Sequence, residues 1–136
     1  MQPDRLFLDT GYVIAVLNSR DQYHQQAKSL SHRVRNAYEV WTTEAVLVEI
    51  GNAFSATYRV EAAKFIRLCY HTRNLRVVSV DTGLMADAVD LYQDRKDKTW
   101  GLTDCISFVL MSRLGLSDAL TADKHFEQAG FRALLK

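Results

Sequence analysis

The sequence contains few of the residues that interrupt or cross-link a chain. Among its 136 residues there is one proline, and its two cysteines, Cys69 and Cys105, are far apart. No CxxC motif and no Cys/His pair at metal-ligand spacing accompanies them, so nothing supports a thiolate zinc site. We therefore expect both cysteines to be buried free thiols in a reducing cytoplasm.

Long apolar runs and strong charge are also missing. No apolar run approaches the ~20 residues that a membrane-spanning helix requires, and residues 1–5 lack the apolar core of a signal peptide. The net charge is only +1, which does not favour strong nonspecific binding to nucleic acid, although a local basic patch is compatible with it. Without linkers or repeats, the length predicts one domain over residues 1–136.

What is present is an alternation of short apolar runs with helical patterns. The apolar runs that we predict to be strands cover residues 6–8, 38–41, 75–80, 118–122 and 131–134. The segments between them repeat their apolar residues at helical spacing. Such alternation favours an α/β fold in which helices cover both faces of a mainly parallel sheet.

Four acidic residues from remote parts of the chain are placed near one edge of this sheet. Asp9 and Asp123 directly follow predicted strands, and the carboxyl ends of parallel strands share the edge where ligands bind. Asp104 falls in the first turn of a helix that we expect Thr103 to cap. Glu49 lies about 40° beyond the apolar stripe of its own helix, as 100° per residue places it. The four carboxylates are therefore predicted to converge.

Each acid alone also has a simpler explanation, because an aspartate often does no more than cap a helix or favour its first turn. Together, four clustered carboxylates would repel one another unless a cation or a proton compensates them. Since no His/Cys ligand set accompanies them, we expect one or two Mg²⁺ or Mn²⁺ ions rather than zinc. Metal-assisted attack of water on a phosphodiester is the chemistry that suits such a site.

Four stretches, residues 7–12, 43–49, 100–108 and 119–126, together resemble the PIN-domain family, and in particular its VapC-like toxins. The resemblance covers nearly the whole chain and fills all four acidic positions in order. It implies a three-layer α/β/α sandwich and a Mg²⁺- or Mn²⁺-dependent endoribonuclease. It assigns metal binding and catalysis to four residues, with the first and third as central ligands and the others completing the pocket: Asp9, Glu49, Asp104 and Asp123.

The same resemblance implies partners and supporting residues. Thr10 and Thr121 resemble small hydroxyl residues that stand beside the acids. Family members usually form homodimers, act on RNA and are inhibited by a separate antitoxin chain that covers the site. Candidates for RNA contact are the basic residues Arg59, Arg73, Arg95, Lys96 and Lys98.

Three alternatives stay open at this point. The chain could be a PIN-domain nuclease that is not a toxin, or a non-catalytic module that binds RNA or protein; a missing acid would favour the latter, and none is missing. Residues 7–11 also superficially resemble the first motif of haloacid-dehalogenase phosphatases. That chemistry needs a second aspartate two residues after Asp9, where this chain has Gly11.

Overall fold

The computed structural model describes residues 3–136. Met1 and Gln2, part of the segment searched for a signal peptide, lie outside the described residues. In chain order the elements are β1 (Arg5–Leu8), α1 (Thr10–Leu17), α2 (His24–Arg35), β2 (Glu39–Thr43), α3 (Glu44–Ala53), α4 (Arg59–Cys69), β3 (Leu75–Val78), α5 (Thr82–Asp94), α6 (Leu102–Leu114), β4 (Asp118–Leu120), α7 (Lys124–Gln128) and β5 (Arg132–Ala133).

The strands form one five-stranded sheet in the order β3-β2-β1-β4-β5, and every neighbouring pair is parallel. β1 lies at the centre, where Leu6 pairs with Val40 on one side and with Asp118 on the other. Leu6, Phe7 and Leu8 are almost completely buried, as a central parallel strand covered on both faces requires. The predicted parallel α/β architecture is confirmed.

The helices divide into two groups. α1 to α4 contact one another along the chain between β1 and β3, whereas α5, α6 and α7 contact one another between β3 and β5. The first two crossovers move along the sheet in one direction and the later two in the other, so right-handed crossovers place the groups on opposite faces. The result is the predicted three-layer sandwich.

An aromatic cluster anchors the short helix α7. The fully buried Phe126 ring lies with its centroid 6.2 Å from that of Phe7 on β1 and 4.9 Å from that of Phe108 on α6. Aromatic pairs at these separations stabilise a core beyond simple burial. Because Asp123 immediately precedes α7, this packing also fixes the position of that carboxylate.

Helix ends agree with the sequence in most places. The Thr43 hydroxyl accepts the Val46 N–H at 3.2 Å, and Gly115 ends α6 with a positive φ of 67°, which glycine adopts without strain. The prediction that Thr103 caps α6 is wrong. The helix begins at Leu102, and the Asp104 carboxylate accepts the Gly101 N–H at 3.1 Å, so a side chain inside the first turn satisfies the helix end.

Element lengths and one helix face also differ from the prediction. The third and fourth strands are shorter than the apolar runs 75–80 and 118–122, because pairing stops at Val78 and Leu120. The spacing of the apolar residues in α5 predicts a core face formed by Leu84, Met85, Ala88, Leu91 and Tyr92. Met85 and Tyr92 are nevertheless exposed, since α5 buries only a narrow stripe centred on Leu84 and Ala88.

Two further expectations concern the whole chain. Cys69 and Cys105 are buried free thiols, as predicted. From residue 3 to residue 136, no helix is both long and apolar enough to cross a membrane.

Candidate active site

An open cleft lies at the carboxyl edge of the sheet, where β1 and β4 are neighbours but the connections that follow them lead to opposite faces. This reversal is the point at which open α/β sheets leave room for a ligand. The cleft has a volume of about 510 Å³. Its walls include all four sequence-predicted acids: Asp9, Glu49, Asp104 and Asp123.

Asp9 lies at the bottom of the cleft, directly after β1, with 7% of its surface exposed. The Thr121 hydroxyl donates a hydrogen bond to Asp9 Oδ2 at 2.8 Å. Burial raises the pKa of Asp9 from 3.8 to about 7; the hydrogen bonds from Thr121 and the Thr10 backbone oppose this rise, and the charges of Asp104 and Glu49 add to it. The most buried acid of the site is thus costly to ionise without a compensating cation.

Asp104 faces the same cleft from the first turn of α6 and is half-buried. Burial raises its pKa, the Gly101 N–H and the neighbouring His125 oppose the rise, and the carboxylates of Asp123 and Glu49 contribute to it. The negative charge of other acids in the cleft thus contributes to the raised pKa of both Asp9 and Asp104, as expected for carboxylates that lie close together.

Two threonines hold carboxylate oxygens of the site in place through hydrogen bonds. The Thr10 hydroxyl donates to Glu49 Oε1 at 2.7 Å, and Glu49 is an exposed residue. Thr121, besides donating to Asp9, accepts the Asp123 N–H at 3.0 Å. Thr10 and Thr121 therefore stand beside the acids, as the sequence resemblance implied.

His125 is a residue of this cleft that the sequence reasoning missed. Its Nδ1 lies 3.1 Å from Asp123 Oδ1 and 3.4 Å from Asp104 Oδ2. This nitrogen is buried and has no hydrogen-bond partner among residues 3–136. The sequence signal for it was the position of His125 two residues after Asp123. Asp123 accepts the His125 N–H at 2.9 Å, and this tight turn places the imidazole beside the carboxylates.

The donor atoms fit a divalent cation. One atom each from Asp104, Asp123 and His125 lie within 4.8 Å of one another, whereas Asp9 and Glu49 line the same cleft outside this group. A ring nitrogen without a hydrogen-bond partner, beside two carboxylates, offers donor atoms that a divalent cation can bind. The sequence indicated no His/Cys ligand set beside the acids, and the structure corrects this by placing the His125 ring nitrogen next to Asp104 and Asp123.

The basic residues predicted from the sequence do not lie in one place. Arg95, Lys96 and Lys98 line a second cleft that meets the acidic one at Thr99. Neither cleft includes the other two candidates, Arg59 and Arg73. Arg59, at the start of α4, donates to the Ser55 carbonyl at 2.9 Å.

Comparisons with known proteins agree with this architecture. Residues 6–132 match the family model of the PIN domain. No curated protein matches the sequence significantly. Among solved structures, VapC20 of Mycobacterium tuberculosis, a toxin that cleaves the sarcin–ricin loop, is 25% identical over 93% of this chain and 95% of that chain, with a TM-score of 0.83.

More distant structures share the fold. VapBC2 from Rickettsia felis, bound to a DNA fragment of its promoter, is 13% identical over 96% of this chain and 97% of that chain, with a TM-score of 0.65. DNA-bound VapBC from Salmonella typhimurium is 14% identical over 95% of this chain and 96% of that chain, with a TM-score of 0.64.

Proposed function

This chain belongs to the PIN-domain family, and from that premise we propose that it is a Mg²⁺- or Mn²⁺-dependent endoribonuclease that serves as the toxin of a VapBC-type toxin–antitoxin pair. The observation that carries the proposal is the single cleft lined by Asp9, Glu49, Asp104 and Asp123. The similarity to VapC20, which cleaves the sarcin–ricin loop, supports RNA as the substrate and a toxin as the biological class.

In this proposal Asp104, Asp123 and His125 hold the cation, and Asp9 completes the negative pocket from below. A bound divalent cation supplies two effects, a lower pKa for water and compensation of negative charge on the phosphoryl group. Thr121 fixes the orientation of Asp9 through the 2.8 Å hydrogen bond to Oδ2. The protein thereby keeps the acids in place before substrate arrives, which reduces the reorganisation that the reaction requires.

Glu49 is assigned the role of general base for the water that attacks the phosphorus. Its Oε1 is engaged by Thr10, so Oε2 is the atom left to accept a proton from that water. Glu49 is exposed and stands at the mouth of the cleft, where both water and a phosphodiester have access. Geometry within hydrogen-bond reach of the attacking water is the first requirement for a general base.

The proposed function is tested by RNA cleavage with purified protein. Total RNA, a tRNA panel and a sarcin–ricin-loop hairpin are incubated with Mg²⁺, with Mn²⁺ or with EDTA. We expect cuts at defined positions with either metal and none with EDTA, because the clustered carboxylates need the cation to bind a phosphate. Cleavage that persists in EDTA would contradict the metal dependence. If no RNA is cut, metal titration by calorimetry decides: binding of the ion would indicate an unusually narrow substrate, and its absence a non-catalytic module.

The proposed protein partners are an antitoxin and a second copy of the chain. Two solved relatives of the same fold are VapBC complexes. Large hydrophobic side chains are exposed on this chain where a partner could cover them: Val48 on α3 and Val60 and Leu68 on α4 are each at least 60% exposed, and Tyr38, just before β2, is 67% exposed. Exposed apolar residues that lie close together mark protein-binding surfaces.

We expect the isolated protein to be a dimer, with a mass by multi-angle light scattering of twice the 15.5 kDa chain. A monomer mass at every concentration up to the solubility limit would contradict the dimer. Adding the antitoxin should shift the mass upward and inhibit RNA cleavage in the same samples. Inhibition without a stable complex would show that the antitoxin does not act by covering the site.

A further inference from the structure

The cleft beside the acidic site carries the opposite charge. It has a volume of about 630 Å³ and is formed by the end of α5 and the loop that leads to α6. Three cations line it, Arg95, Lys96 and Lys98, and no carboxylate does. Thr99 lines both clefts, so the basic one lies next to the acidic one.

The charges of this loop are not all neutralised. Arg95 donates to both carboxylate oxygens of Asp97, at 3.0 and 3.1 Å, and also lies over the Trp100 ring at 4.8 Å from its centroid. Lys98 is 4.0 Å from the same carboxylate, at the outer limit of an ion pair. Within the described part of the chain, Lys96 forms no ion pair. Lys96 and, to a large part, Lys98 therefore remain available to an anion.

An aromatic side chain completes the cleft. Tyr92, on the last turn of α5, lines it and is 53% exposed. An exposed aromatic ring beside cations is the arrangement by which proteins bind single-stranded nucleic acid, because bases stack on the ring while the phosphates contact the cations. A duplex offers no free base face to such a ring.

The acidic cleft itself cannot attract RNA over a distance, since its four carboxylates repel phosphate. Attraction has to come from cations near it, and the adjacent cleft supplies them. We propose that this basic cleft, lined by Tyr92, Lys96 and Lys98, binds single-stranded RNA that flanks the scissile phosphate. The inference rests on the proposed function, because it assigns a path to the substrate of that same site.

The test compares the double variant Lys96→Ala/Lys98→Ala with Lys28→Ala/Lys64→Ala. The control removes the same charge from α2 and α4, outside both clefts. Binding of a fluorescein-labelled single-stranded RNA of mixed sequence is measured by anisotropy in EDTA, so that no cleavage is needed. We expect the cleft variant to bind at least about fivefold more weakly and its log–log salt slope to fall by roughly 0.7 per lysine, with the control unchanged.

Tyr92 provides a second, independent measurement. Tyr92→Ala should weaken binding of the single strand by roughly tenfold and leave binding of a duplex of the same composition nearly unchanged, because only the single strand can stack on the ring. Tyr92→Phe keeps the ring and should restore binding. Equal losses for single strand and duplex would contradict a stacking role. Thermal melting of every variant verifies that the fold is intact.

Cleavage kinetics separate this inference from the proposed function. If wild type cleaves RNA, the Lys96→Ala/Lys98→Ala variant should raise KM and leave kcat unchanged, as expected for lost substrate binding. If wild type cleaves but the cleft and control variants bind RNA equally, the cleft is not the RNA path and the inference is wrong. If wild type neither cleaves RNA nor binds the metal ion, the proposed function fails, and selective loss of RNA binding in the cleft variant still supports the inference.

Discussion

Asp9→Asn is expected to abolish RNA cleavage and, in the absence of metal, to make the protein more stable at neutral and alkaline pH. The loss of activity should be roughly a thousandfold or more, which corresponds to ~4 kcal/mol of transition-state stabilisation. The gain in stability follows from burial, because Asp9 is 7% exposed and its ionised form lacks a counter-charge when no cation is bound. Asparagine keeps an oxygen that can accept the hydrogen bond from the Thr121 hydroxyl.

The pKa of Asp9 determines whether the free energy of unfolding rises or falls with pH. The pKa of Asp9 is 3.8 for the unfolded chain and about 7 in the fold, so the native state holds the proton more tightly. The free energy of unfolding of the metal-free wild type therefore decreases as the pH rises between these two values, by up to ~4 kcal/mol. Asp9→Asn removes this contribution, so its own stability should be flatter over the same interval.

Urea unfolding of wild type and Asp9→Asn in EDTA, from pH 4 to pH 8, measures the effect. Asp90→Asn is the matched control, because Asp90 is exposed on α5 and lines neither cleft. We expect the two curves to separate progressively above pH 4 and the control to follow wild type. A variant that is inactive but less stable than wild type at pH 8 would show that the buried carboxylate is stabilised in a way that the structure does not reveal.

Asp104→Asn and Asp104→Ala should both cleave RNA roughly a thousandfold or more slowly than wild type, but they should differ in stability. The Asp104 carboxylate has two functions, since it faces the acidic cleft and also accepts the Gly101 N–H at 3.1 Å. Asparagine retains an acceptor for that N–H, whereas alanine leaves it without one. The alanine variant should therefore unfold about 1 kcal/mol more easily than the asparagine variant.

Cleavage rates and thermal melting of the two variants, prepared in parallel with wild type, test this prediction. Isothermal titration with Mn²⁺ adds a readout that does not depend on the RNA target, and both variants should bind the ion more weakly than wild type. Unchanged cleavage by folded Asp104→Asn would remove this residue from the proposed site. Equal stability of the two variants would show that the Gly101 hydrogen bond contributes nothing to the helix end.

The sequence predicted most of this architecture because the relevant signals are local. The uninterrupted apolar run 6–8 predicts a buried strand, and a glycine directly after a helical apolar pattern, as at Gly115, predicts the end of that helix; the structure has both. The positions of Asp9 and Asp123 followed from strand ends, and parallel topology then placed them on one edge of the sheet.

Other features depend on tertiary contacts that no local pattern encodes. Thr103 has the chemistry of a cap, but the helix begins two residues earlier than such a cap would place it, because Asp104 satisfies the Gly101 N–H. Met85 and Tyr92 match an apolar stripe, but α6 covers only part of α5. His125 was missed because its role depends on how α7 packs through Phe126, which is a property of the assembled core.

The hydrogen bond between Thr121 and Asp9 joins residues separated by 112 positions in the chain. Proteins are synthesised from the amino terminus, so a nascent chain exposes Asp9 long before Asp123 and His125 leave the ribosome. The acidic cleft is therefore completed only after residue 125 has left the exit tunnel. A PIN domain arranged in this way lacks its complete acidic cleft until that last segment folds, so assembly of the site follows the synthesis of Asp9 by more than 110 residues.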